Sequence, residues 1–180
     1  MKIQKNALRL ITVAASVAVM PATVAAQRAQ PVEFQLSAGG TALTSKSAQL
    51  HTGGGHAQAA VLLRTPLHLI DQIRLDGSYH SLPGKAFPTQ IIPDAGLVIL
   101  SASAVKQLYQ AASVRPYVLA GVGTYNMNQG GGRESHFGVN GGLGVRFPMG
   151  PVGGFLESRF HHVFTGQPND FVPVSFGVAF

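Results

Sequence analysis

The chain has 180 residues, a formal net charge of +6 and charged side chains at only 11% of positions, less than half the quarter usual in soluble domains. It contains no cysteine and no tryptophan, which excludes disulfide frameworks and thiolate sites. Its basic residues form no run of five or more, so nucleic-acid binding lacks its electrostatic footprint.

Lys2, Lys5 and Arg9 open the chain without an acid among them. An apolar run from Leu10 to Met20 follows, and Pro21 precedes the small residues ATVAA. This is the layout of a secretory signal peptide, with cleavage expected after Ala26. The apolar run falls short of the roughly 20 residues that a spanning helix needs. We therefore expect residues 1–26 to be a leader and 27–180 one exported domain. Without Lys2, Lys5 and Arg9 the formal charge falls from +6 to +3.

Helical signals are weak in residues 27–180, where glycine recurs and capped stripes of period 3.6 are missing. Alternation with a period of two predicts eight strands: Val32–Leu43, His56–Thr65, Gln72–His80, Ala95–Val105, Arg115–Tyr125, His136–Phe147, Val152–Val163 and Asp170–Phe180. Each is close to the 9–11 residues with which a tilted strand crosses a bilayer. The first, third, fifth and seventh links are TSKSAQLHTGGG, SLPGKAFPTQIIPD, NMNQGGGRES and FTGQPN. They are mostly longer than the others, PLHLID, KQLYQAASV and PMGP. Long loops alternating with shorter turns is the rhythm of an outer-membrane barrel. KQLYQAASV has room for a helical turn.

The faces separate cleanly in several strands. Val32, Phe34, Leu36 and Ala38 oppose Glu33, Gln35 and Ser37; Ile73 and Leu75 oppose Arg74 and Asp76; Leu156 and Phe160 oppose Glu157 and Arg159. GLVILSASAV and PYVLAGVGTY are apolar or small on both faces. Charges of both signs in mid-strand fit either a soluble barrel with charges outward or a membrane barrel with charges in the lumen. Two features favour the membrane. Charged residues are too few for a wet exterior. Aromatic residues fall near strand ends, with Phe34, Tyr117, Phe147, Phe155 and Phe180 at the turn side and Tyr79, Tyr125, Phe137 and Phe171 at the loop side, as two interfacial belts would. The alternating end, SFGVAF, then faces lipid with Phe176, Val178 and Phe180.

RPYVLAGVGTY, HFGVNGGLGVRF and GGFLESRFHHVFTGQPNDFVPVSFGVAF resemble the small bacterial outer-membrane β-barrel proteins of the OmpA/OmpX-like, eight-stranded kind. The resemblance covers residues 27–180 and implies an all-β, up-and-down antiparallel transmembrane barrel in the cell outer membrane. It also implies a final strand read by the barrel-assembly machinery, a role that falls on Phe176, Val178 and Phe180. Pro173 and Ser175 depart from the usual polar residue and glycine of that signal. Pro173 also removes a ladder hydrogen bond, so a bulge or loosened seam is expected there. No appended peptidoglycan-binding domain is expected after the barrel.

Glu33, Arg64, Arg74, Asp76, Arg146, Glu157 and Arg159 are expected to point into the lumen, where eight strands leave room for little but side chains. The expected role is a packed polar plug that supports folding, with four arginines against three acids biasing any leak towards anions. His51, His56, His80, His136, His161 and His162 map to the loop side and His68 to a turn, without a metal-ligand spacing. No metal and no cofactor are expected. RFHHVF carries no serine two residues after either histidine, since Val163 and Phe164 stand there, and Ser158 falls on the opposite strand face from His161. No catalytic relay is expected. The glycine clusters follow no strand-to-helix step and are not phosphate cradles; in the loops they suggest mobility. The expected function is structural or surface-interacting, with outer-membrane lipid and lipopolysaccharide as partners. The alternatives are a soluble periplasmic lipocalin-like barrel holding an apolar ligand and an enzyme that modifies lipid A.

Overall fold

The structure is a computed structural model that describes residues 32–44, 47–109, 113–165 and 169–180. The expected leader, residues 1–26, lies outside them. Eight long strands are present: β1 (Val32–Leu43), β2 (Gly54–Arg64), β3 (Gln72–Leu82), β6 (Ala95–Gln107), β7 (Arg115–Gln129), β8 (Gly132–Met149), β9 (Val152–Val163) and β10 (Asn169–Ala179). The first connection carries one helical turn, α1 (Ser47–Leu50), and the third a two-residue hairpin of β4 (Ala86–Phe87) with β5 (Gln90–Ile91). The long strands pair antiparallel in the order β1-β10-β9-β8-β7-β6-β3-β2 and close on themselves. Closure includes reciprocal backbone bonds, Phe34 N to Phe180 O at 3.2 Å and Phe180 N to Phe34 O at 2.9 Å. A closed sheet leaves no ladder edge, which is the only way strands can cross lipid.

Two expected strands match to the residue, β1 and β9. The largest difference is at NMNQGGGRES, read as a loop. Here β7 and β8 continue upward and meet in a two-residue turn at Gly130 and Gly131, with φ of 58° and 88°. Both central residues of a type I′ turn need positive φ, so glycine makes a tight hairpin there and not a slack loop. β8 pairs with β9 only up to Gly138–Val163, so the β7–β8 hairpin overtops β9 as an arm, while on its other side β6 pairs with β7 up to Ala95–Gln129. The first two loops are also tied together, by Thr52 N to Pro83 O and Lys85 N to Leu50 O, both 2.9 Å. For the seam at Pro173, the β10–β9 ladder runs through Phe171–His161 and resumes at Val174–Ser158 in unchanged register. The missing N–H opens the ladder without inserting a bulge. In KQLYQAASV, the strand runs on through Gln107 and residues 110–112 lie outside those described.

At the turn end, Asp71 clips two strands. Its carboxylate accepts the Gln107 N–H at 2.7 Å and Lys106 Nζ at 3.1 Å. The Gln107 N–H is the main reason its pKa lies below the ordinary aspartate value; partial desolvation opposes this and Lys106 adds to it. A depressed folded-state pKa contributes stability at neutral pH that is lost as pH falls through the acidic range. Asp71→Asn is thus expected to lower the urea midpoint at pH 7, with the gap to wild type closing towards pH 3. A gap that stays constant with pH would show that the carboxylate's charge has no part in the clip.

Candidate functional site

Alternation places Leu36, Leu75, Leu100, Val122, Leu143, Leu156 and Phe176 on the outside, all at least 45% exposed. Arg74, Asp76, Arg146, Glu157 and Arg159 are buried inside. The soluble alternative requires the reverse, an apolar cavity within a charged exterior, and the structure contradicts it.

β3 and β9 lie four strands apart in either direction round the barrel, so they face each other across its full width. Their charged residues meet in the middle. Arg74 Nη1 donates to Glu157 Oε2 at 2.9 Å and Arg159 Nε to Glu157 Oε1 at 2.6 Å. Arg159 Nη1 donates to Asp76 Oδ1 at 3.0 Å, and Arg74 Nε stands 3.2 Å from the same oxygen. The last contact is an ion pair without hydrogen-bond alignment. Tyr117 OH donates to Glu157 Oε2 at 2.6 Å and Ser101 Oγ to Asp76 Oδ2 at 2.7 Å. A second group lies nearer the turn end. Arg146 donates to Glu33 Oε2 and to Gln72 Oε1, each at 3.1 Å, and Gln35 Nε2 donates to Glu33 Oε1 at 2.6 Å.

Six of the seven residues expected in the lumen therefore lie in these two groups. Arg64 does not. It has the inward parity but occupies the last position of β2 and is exposed, because at a strand end water is closer than the lumen. Without it three arginines face three carboxylates, and the expected positive excess disappears.

Above the ions is a tier of imidazoles. His56 and His80 stack with centroids 4.8 Å apart, and Thr41 Oγ1 lies 3.1 Å from His56 Nδ1 and 2.8 Å from His80 Nδ1. His161 stacks on Phe171, and its Nδ1 lies 2.9 Å from Tyr125 OH. These three histidines are inside the wall and not at the rim, whereas His136 and His162 pair with Glu134 and Asp170 at the loop end. Among the described residues no group of three or more potential ligands has the geometry to hold a metal. Ser175 Oγ stands 2.8 Å from His56 Nε2, a nucleophile beside a histidine that sequence spacing hid across 119 positions. Thr41, not a carboxylate, holds the other ring nitrogen, so the orienting acid of a triad is not in place. Leu97, Ile99, Tyr125, Val163 and Phe171 pack over this tier, leaving a cavity of about 40 Å³ at the mouth.

The aromatic belts need correction. Tyr117, Tyr125, Phe155 and Phe171 are 3% exposed or less and point inward. Phe34 and Phe180 at the turn end, and Tyr79 and Phe137 at the loop end, face out. Phe155 and Phe171 share parity with Glu157 and Ser175 in their own strands, a signal that was available. Tyr117 and Tyr125 lie in a strand that is apolar or small on both faces, and only the register decides their direction.

No family model and no curated protein matches the chain. Solved structures do. Neisserial surface protein A superimposes with a TM-score of 0.60 at 19% identity, over 85% of this chain and 98% of that one. This is the fold of the small outer-membrane β-barrels. The outer-membrane protein OprG from Pseudomonas aeruginosa gives 0.53 at 9% identity, over 82% and 95%. A major outer-membrane protein from Thermus thermophilus gives 0.52 at 11%, over 84% and 99%. At these identities the likeness is one of fold. No helix among the described residues is long and apolar enough to cross a membrane.

Proposed function

We propose that the chain is an outer-membrane β-barrel with a structural or surface-interaction role, its lumen a plug and not a conduit. The observation that carries this reading is the inverted distribution of polarity, with large apolar side chains exposed around the wall and ion pairs buried at its centre. In water that arrangement wastes apolar burial and charge solvation alike; in a bilayer it is the stable one. A permeating ion would have to part hydrogen-bonded charges that span the barrel and then cross an apolar layer at the mouth. What remains for interaction is the exterior: the tied loops, the β7–β8 arm, and the outward row Phe176, Val178 and Phe180 as the segment read by the assembly machinery.

A closed lipid-facing barrel resists SDS until boiled. The membrane-extracted protein is expected to migrate differently on SDS gels before and after boiling, and to fractionate with outer membranes. A protein that washes off into buffer and shows no shift would overturn the reading.

A further inference from the structure

On the outer wall, immediately above the lipid-facing surface, four strands build a polar depression that neither the lumen nor the fold requires. The register aligns Tyr79, Val98, Asn126 and Ser135 in one row across β3, β6, β7 and β8, and Gly96, Asn128 and Arg133 in the row above. Leu100, Thr124 and Phe137 form the row beneath, where Leu100 is 58% and Phe137 73% exposed. Tyr79, Gly96, Val98, Asn126, Asn128 and Arg133 line a half-open depression of about 320 Å³, at the small end of ligand sites. Gly96 forms the floor. A Cβ there would stand 3.1 Å from Tyr79 OH and 3.4 Å from its ring, a tight contact that would lift the tyrosine by a few tenths of an ångström, so glycine lets the ring lie close over the sheet as one wall.

The chemistry of the lining is specific. Arg133 is exposed and makes no ion pair among the described residues. The neighbouring carboxylate, Glu134, belongs to the opposite face of β8, where it pairs with His136 at 3.3 Å. Two asparagine amides and the exposed face of a tyrosine complete the set. A guanidinium fork takes phosphate or carboxylate in two parallel bonds, amides serve hydroxyl groups, and an aromatic face packs the apolar side of a sugar ring. Lying directly above an apolar row, the depression opens onto the height where the headgroups of the surrounding leaflet stand.

We propose that this depression binds the phosphorylated sugar headgroup of lipopolysaccharide anchored in the surrounding leaflet. The proposal rests on the outer-membrane reading and gives it a partner and a site. Anchoring in the same membrane supplies a high effective concentration, so a single guanidinium fork suffices where a soluble sugar would demand more contacts.

The test uses purified barrel in bicelles, titrated with intact lipopolysaccharide and with the same material after phosphate removal. Arg133→Gln is expected to weaken binding of the phosphorylated form about 10-fold, the value of one charge-assisted pair, and to leave the dephosphorylated form unchanged. Tyr79→Leu should weaken both forms. Arg64→Gln, at the opposite rim, should weaken neither. Equal binding by wild type and Arg133→Gln, or an equal loss in Arg64→Gln, would overturn the site. So would competition by soluble phosphorylated core sugar at the concentration effective for intact lipopolysaccharide. Each sample is run unboiled and boiled beforehand. A wild type without a heat shift sinks the outer-membrane reading itself; a shift without dependence on Arg133 sinks only the site.

Discussion

Replacing Glu157 by glutamine is expected to destabilise the refolded barrel by about 3–5 kcal/mol, the cost of stripping a buried ion group of one partner. Glu157 is 2% exposed and accepts from Arg74, Arg159 and Tyr117. Without its charge, Asp76 alone is left to balance two buried guanidinium groups. The penalty comes chiefly from the uncompensated charge and less from the lost bonds. The double variant Glu157→Gln/Arg74→Gln restores neutrality and is therefore expected to be more stable than the single, by at least about 1 kcal/mol, within the range of couplings between contacting residues. Glu33→Gln, whose side chain is 25% exposed in its pair with Arg146, should cost much less because water reaches the broken pair. Urea unfolding followed by the heat-shifted gel band measures all three. A Glu157→Gln midpoint equal to wild type would mean that the lumen is wet and the cross-barrel ring contributes little.

That ring shows where sequence stops being informative. The parity of Glu157 and Arg159 against Leu156 and Phe160 places them on the polar face, because a side-chain period of two leaves no other choice in a strand with one apolar and one polar face. β1 and β9 were legible to the residue for the same reason, and the Gly150–Pro151 turn adds a sharp boundary to β9. What parity cannot carry is pairing across the lumen. Arg74 and Glu157 are 83 positions apart and meet only because the strand order sets β3 opposite β9. Tyr117 was misplaced because its strand offers small or apolar residues on both sides. The β7–β8 arm was misread for a different reason. Polar residues stand at successive positions in NMNQ and RES, so the alternation of apolar and polar residues disappears, and a strand rich in Asn, Gln and Gly looks like a loop. Arg64 marks the limit at the other end, where parity is right but the strand has already reached water.

Gly144→Val is expected to cost about 3–5 kcal/mol while Gly141→Val, three residues away in β8, stays within about 0.5 kcal/mol of wild type. The two glycines face opposite ways. A Cβ at Gly144 would overlap Tyr117 Cζ and stand 2.5 Å from its hydroxyl, so the ring must leave its place and its hydrogen bond to Glu157 with it. Overpacking contributes about 1–3 kcal/mol, and losing a bond to a buried carboxylate about 1.5–3. At Gly141 the nearest atom is Leu119 O at 3.8 Å, ordinary contact, and the new methyls enter the apolar surface beside Val139 and Leu143. Valine also suits a strand better than glycine does. The pair decides between the two ways a barrel can be turned. With the apolar face inward, Gly141 would be the crowded position and Gly144 the free one, and the order of the two urea midpoints would reverse.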